Sequence, residues 1–203
     1  MTQPAVDLNA VSEWATVPIP GSEPPVRLHR LHLDPASKAS LSLVEFPAGW
    51  RRPGTGHYLC AEEFVVLGGS LTVSGEVHKM GDHVYLPARW PRVDSSTEHG
   101  CRALAWFSAA PSWQVGEGPG SDEPPRAGPP QLDAPGKEAA GTGPRVSMQE
   151  PVAPVASVDR DVLEVSTNQW WFVPAGQVAT PTAGPALVRS WLSTSPTPDV
   201  SPE

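Results

Sequence analysis

Between Val26 and Phe107 the chain is written almost wholly in short β-rich runs, VRLHRLHL, SLSLVEF, EEFVVL, SLTVSG, HVYLP and RALAWF, separated by PAG, GG, SG and MGD. Turn residues at that density stop a helix before its apolar stripe is complete, and no window of about a dozen residues there carries a helical apolar period. Antiparallel strands packed as a sandwich or closed into a barrel are the arrangement that buries such runs. The expected fold class is therefore all-β, with little helix.

The 26 prolines and 18 glycines are unevenly spread over the 203 residues. From about Val115 to Pro154 the text becomes GEGPGSDEPPRAGPPQLDAPGKEAAGTGPR, whose Pro, Gly and charge content buries too little apolar area to offset chain entropy. Order is expected again near Val158, in DVLEV, NQWWFVPAG and PALVRSWLS, before a Ser/Pro tail. The expected division is a barrel over residues 1–114, a disordered linker over 115–155, extra strands over 156–195 and a tail over 196–203. EWATVPIPG at 13–21 and WWFVPAG at 170–176 share an aromatic, a Val-Pro step and a glycine, so the C-terminal strands either pack on the barrel or open a truncated second repeat.

A formal charge of −8 without a Lys/Arg-rich block offers a phosphate backbone nothing to grip, so no nucleic-acid partner is expected. No apolar run approaches the roughly 20 residues that cross a bilayer, and MTQPAVDLNA lacks the basic and apolar regions of a signal peptide. No membrane contact and a cytoplasmic location are the expectations. Cys60 and Cys101 are read as free, half-buried thiols.

Within the β-rich region lies a spaced frame: Gly49, five residues, Thr55, one residue, His57, four residues, Glu62, six residues, Gly69. A second runs from Gly81 through Pro87 to Arg89, Arg92 and Ser96. Together they resemble the two motifs of the cupin superfamily, over about residues 26–109. The stretch STEHGCRALAWFS, with a Gly-Cys pair before the closing strand, is similar to the ChrR-like branch. The resemblance implies a small antiparallel cupin-type β-barrel, a jelly roll. It also implies that the metal-ligand positions of metal-binding cupins fall here on Thr55, His57, Glu62 and Arg92, of which only His57 and Glu62 are ligand residues: a degenerate metal site.

A threonine hydroxyl is a poor ligand for a divalent transition metal, and a guanidinium is positive at any accessible pH and repels the cation. No metal and no other cofactor is therefore expected; the alternative is a divalent metal held by His57, Glu62 and a relocated His83, with His78 and His99 less well placed. His29 and His32 read as surface or rim residues. Alternation puts Glu62, Phe64 and Val66 on one face, the barrel interior, and Glu63 on the other as a solvated charge. Arg92 is the expected partner of Glu62, since its fork can meet both carboxylate oxygens. His57, Glu62 and Arg92 are the candidate catalytic residues, the imidazole or carboxylate moving protons while the arginine holds an oxygen. Thr55, Tyr58, Tyr85, Trp90 and Trp106 are the candidate substrate-binding wall.

The expected function is a cupin-domain protein binding a small organic molecule in its barrel, with metal-independent isomerase, cyclase or dehydratase chemistry as its form if it is an enzyme. Two others stand beside it: a metal-dependent dioxygenase or cyclase with relocated ligands, and a non-catalytic sensor or regulatory domain. The partner expected is a small-molecule ligand or substrate, with a homodimer left open.

Overall fold

The computed structural model describes residues 4–129, 145–149, 158–177 and 186–191. The chain is all-β and falls into two compact units, residues 9–130 and residues 131–203 joined by 1–8. In chain order the first strands are β1 (Val6–Asp7), β2 (Ala15–Val17), β3 (Val26–Leu33), β4 (Ser40–Phe46), β5 (Arg51–Tyr58) and β6 (Glu62–Val73). Then come β7 (Glu76–Lys79), β8 (His83–Leu86), β9 (Arg92–Ser96), β10 (Cys101–Phe107), β11 (Trp113–Val115) and β12 (Arg126–Gly128). The last are β13 (Arg145–Gln149), β14 (Arg160–Glu164), β15 (Gln169–Val173) and β16 (Ala186–Ser190). Among the described residues no helix is long and apolar enough to cross a membrane.

In the larger unit the strands run β11-β5-β9-β6-β10-β4-β3-β2, with β7 and β8 also on β6 and β12 on β8. β6 makes this one curled sheet rather than two. Its first half, Glu62–Val65, lies between β10 and β8, while Ser70–Val73 pairs with β7 and, at its end, with β9. The bend falls at Gly68-Gly69: Gly69 has φ +71°, and a Cβ there would stand 2.1 Å from the Gly100 carbonyl oxygen. Only glycine allows that approach. The curl encloses a core of Val26, Val44, Trp50, Phe64, Val66, Leu71, Val73, Val84, Leu86, Cys101, Ala103 and Ala105. The every-second-residue sets within it follow from strand alternation.

The smaller unit is an antiparallel sheet in the order β1-β15-β14-β16-β13, so residues near the N-terminus pair with C-terminal strands, Val6 opposite Trp170. Val162, Trp171, Val173, Ala186 and Val188 form its own apolar cluster.

The structure departs from the expected division in three places, the first being residues 6–8, which belong to the smaller unit and not to the barrel. The barrel unit does not end at residue 114: β11 pairs with β5, and β12, inside the stretch expected to be linker, pairs with β8. Strand pairing supplies the backbone bonds that composition gave no reason to expect, and Arg126 and Glu123 add side-chain contacts around Tyr85. β13 also falls in that stretch, paired with β16. Residues 130–144 and 150–155 of that stretch lie outside the described residues.

Candidate functional site

A small open cavity of about 30 Å³ sits inside the curl, lined by Ile19, Phe46, Trp50, Arg52, Tyr58, Glu62, Phe64, Leu71, Val73, Leu86, Arg92 and Ser95. Three strands deliver its polar groups. β6 brings Glu62 inward on the same alternation as Phe64 and Val66. β9 brings Arg92 and Ser95, which are three residues apart yet share the cavity because Asp94 takes a left-handed φ of 44° between them. β5 brings Arg52 and Tyr58 across a β-bulge: Arg52 pairs with Ser95 but Thr55 with Val93, so β5 carries one residue more than β9.

Arg52, Gly56 and Tyr58 are separated by even numbers of residues, so alternation along β5 keeps them on one face. Past the bulge Gly56 stands opposite Arg92, and Gly56 and Tyr58 take the interior face. Thr55 and His57 take the other. Gly56 carries no side chain, and the Trp113 ring occupies the space, 2.2 Å from where a Cβ would be.

Arg92 Nη1 donates to Glu62 Oε2, so the expected pair is present. Arg92 is buried, and its Nε and Nη2 have no hydrogen-bond partner among the described residues; neither do Trp50 Nε1 and Ser95 Oγ. The Arg92 guanidinium carbon lies 4.8 Å from the Tyr58 ring centroid. Arg52, also buried, stacks on Trp113 at 3.8 Å and donates through Nη1 to the Tyr58 hydroxyl at 3.2 Å. Burial first, and the Glu62 carboxylate second, hold the Tyr58 phenol above its usual pKa, so it is a protonated donor at neutral pH. Burial lowers the pKa of Arg52, which stays a cation at any ordinary pH.

His57 is not part of this centre. It is buried against the segment after β11, its Nδ1–H donating to the Gly116 carbonyl at 3.2 Å, and a Cβ on Gly118 would stand 2.5 Å from its ring. Thr55 shares that outward face, so of the candidate catalytic residues Glu62 and Arg92 meet and His57 does not. Of the candidate wall only Tyr58 lines the cavity. Tyr85 and Trp106 stand opposite Glu63 in the ladders of β8 and β10, on the far face of β6. Trp90 packs against the core from its edge. Glu63 itself is buried, not solvated, and accepts from His83 Nε2 at 3.2 Å. Arg52, Ser95 and Trp50 are the cavity residues that sequence reasoning passed over. Arg52 lies six residues before Tyr58, on the same alternation, and Pro53-Gly54 between them marks the bulge.

The donor set of the cavity does not fit a divalent metal. It offers one carboxylate, already paired with Arg92, and two guanidiniums that repel a cation. The three ligands of the alternative do not converge, since Glu62 faces the cavity, His57 the other side of β5 and His83 the other side of β6. Among the described residues no group of three or more His, Cys, Asp or Glu side chains is placed to hold a metal ion.

No family model matches the sequence, and no curated protein matches it. Solved structures do. A candidate dioxygenase from Nostoc punctiforme PCC 73102 superposes with a TM-score of 0.69 at 14% identity, covering 98% of this chain and 87% of its own. Escherichia coli YlbA gives 0.58 at 12%, over 92% and 89% of the two chains. The candidate glyoxylate-induced protein of Pseudomonas aeruginosa gives 0.54 at 15%, over 86% and 82%. Identities this low speak to fold and leave both the ChrR-like branch and the chemistry aside. With the two motifs on β5–β6 and β8–β9 and the curled antiparallel sheet around them, the chain is a cupin-fold protein.

Proposed function

We propose that the barrel cavity binds a small organic molecule and moves a proton on it without a metal, the chemistry of an isomerase, cyclase or dehydratase. The observation that carries this reading is the Glu62–Arg92 pair standing in an apolar cavity at the place a metal would hold. Arg92 Nη1 engages only Oε2, and Glu62 Oε1 has no hydrogen bond among the described residues. That oxygen is free to take a proton from a substrate carbon or hydroxyl. Charge then develops on a neighbouring substrate oxygen, where Arg92, Arg52 and the Tyr58 hydroxyl supply positive charge and donors already in position. Glu62 then returns the same proton at the second position. The apolar part of the lining lowers the local dielectric and strengthens each of these interactions.

The test is mass spectrometry under native conditions on the untagged full chain, with thermal-shift screening of a metabolite library in the presence of a chelator. A co-purifying or stabilising small molecule, lost in Tyr58→Phe or Arg52→Gln but retained in His57→Gln, is expected. A ligand bound and left chemically unchanged on prolonged incubation would replace catalysis with a sensor role. Binding that needs added metal would replace the reading altogether.

A further inference from the structure

The charge inside the cavity is unbalanced. Its charged lining residues are Arg52, Arg92 and Glu62, two guanidiniums against one carboxylate, which leaves one positive charge uncompensated. Arg52 is buried against the Tyr58 phenol and the Trp113 indole face and makes no ion pair among the described residues, Glu62 acting on it only from a distance while bonded to Arg92. A buried charge without a counter-charge is costly, and the cost is removed when the missing anion arrives. The hydrogen-bond inventory leans the same way. The cavity-lining groups without a partner among the described residues, Arg92 Nε, Arg92 Nη2, Trp50 Nε1 and Ser95 Oγ, all can donate, and three of them can only donate. Nε and Nη2 form the side edge of the guanidinium, whose parallel N–H bonds match the two oxygens of a carboxylate. The remaining lining is apolar.

We propose that the ligand is a small monoanionic organic acid, its carboxylate bridging Arg92 and Arg52 and its apolar body lying against Phe46, Trp50 and Leu71. The proposal rests on the reading of this cavity as the ligand site and adds the charge, the anchoring group and the character of the remainder. A dianion would leave the site negative, and a neutral amide would bring N–H donors to walls already rich in donors. An amine would add a second uncompensated positive charge.

Matched probes test it. Benzoate and 3-methylbutanoate, their primary amides and their amines, benzylamine and 3-methylbutylamine, are titrated into the full-length protein at pH 7 and low salt by calorimetry and ligand-observed NMR. The acids are expected to bind, the amides about tenfold or more weakly and the amines not at all. Arg52→Gln, which breaks no ion pair, is expected to weaken the acids by about tenfold or more. The double variant Glu62→Gln/Arg92→Gln keeps the net charge and strands no ion, and should weaken them similarly through loss of the fork alone. Amides binding as well as acids would overturn the monoanion and leave the cavity as a ligand site. An entire panel without binding, in a chain whose melting temperature no member shifts, would overturn both.

Discussion

Arg92 on β9 donates to Glu62 on β6, and the two partners are not equally buried: the Arg92 side chain is 2% exposed and that of Glu62 16%. The pair is therefore asymmetric in what its loss costs. Glu62→Gln strands a desolvated guanidinium, whereas Arg92→Gln leaves a carboxylate that reaches water through the cavity mouth. Breaking a buried pair from one side costs about 3–5 kcal/mol, so Glu62→Gln belongs at the upper end and Arg92→Gln below it, with the double variant costing less than the sum. Denaturant unfolding of the four proteins measures this. Additive effects would show that the two side chains do not act together.

Gly56 is a second point of tight dependence. A Cβ there would meet two Trp113 ring atoms at 2.2 and 2.5 Å and the Gln114 carbonyl at 2.7 Å. Gly56→Ala should displace β11, take Trp113 off Arg52 and cost about 1–3 kcal/mol. Gly68→Ala, which meets nothing within 4 Å, is the control and should be close to neutral. Equal melting temperatures for the two variants, with unchanged tryptophan fluorescence, would mean that Trp113 does not rest there.

These contacts also mark how far the sequence could be read. The all-β architecture was legible because the Val26–Phe107 runs alternate with turn residues and leave no helical period. The Glu62–Arg92 pair was legible because Glu62, Phe64 and Val66 share a face and the second motif fixes Arg92. His57 stands between Gly56 and Tyr58, so plain alternation along β5 sends it to the face away from the cavity; motif spacing pointed to it, and the alternation applied to Glu62 was the signal that separates it from the pair. Glu63, Tyr85 and Trp106 show the opposite difficulty. Alternation placed Glu63 on the outer face, but that face is buried at all three positions, which a single strand's pattern cannot disclose. β12 was hidden because its bonds go to β8, some forty residues away, while its own composition reads as loop.

Alkaline pH should weaken the fold through Cys101. Burial pushes its thiol up to about 12 from the ordinary 9.0, so the folded chain holds that proton more tightly than the unfolded one. The stabilisation is complete below pH 9 and is lost as pH rises from there through about 12. Tyr85, raised by burial and by its bond to Glu123, acts in the same direction at higher pH. Melting temperatures between pH 8 and 11 should fall with pH in the wild type and less steeply in Cys101→Ala, whatever that variant loses overall. Parallel slopes would place the alkaline sensitivity elsewhere.

Metal content follows from the same geometry that sets the charge of the cavity. Any divalent ion entering beside Glu62 would meet Arg92 across the same carboxylate and Arg52 on the adjoining strand, two cations in a desolvated space where repulsion is strong. His57 would have to leave the Gly116 carbonyl and cross to the other face of β5, and His83 would have to leave Glu63, before either could supply a nitrogen. The untagged protein should accordingly carry well under one equivalent of zinc, iron, manganese or nickel, and a chelator should leave its melting temperature and its ligand binding unchanged. Elemental analysis and thermal unfolding with and without chelator decide the matter. Stoichiometric metal, removed by the chelator with a fall in melting temperature and retained in His57→Ala, would place the ion away from β5. Metal lost in His57→Ala would instead require β5 to turn over at its bulge, and the proposed anion site would go with it.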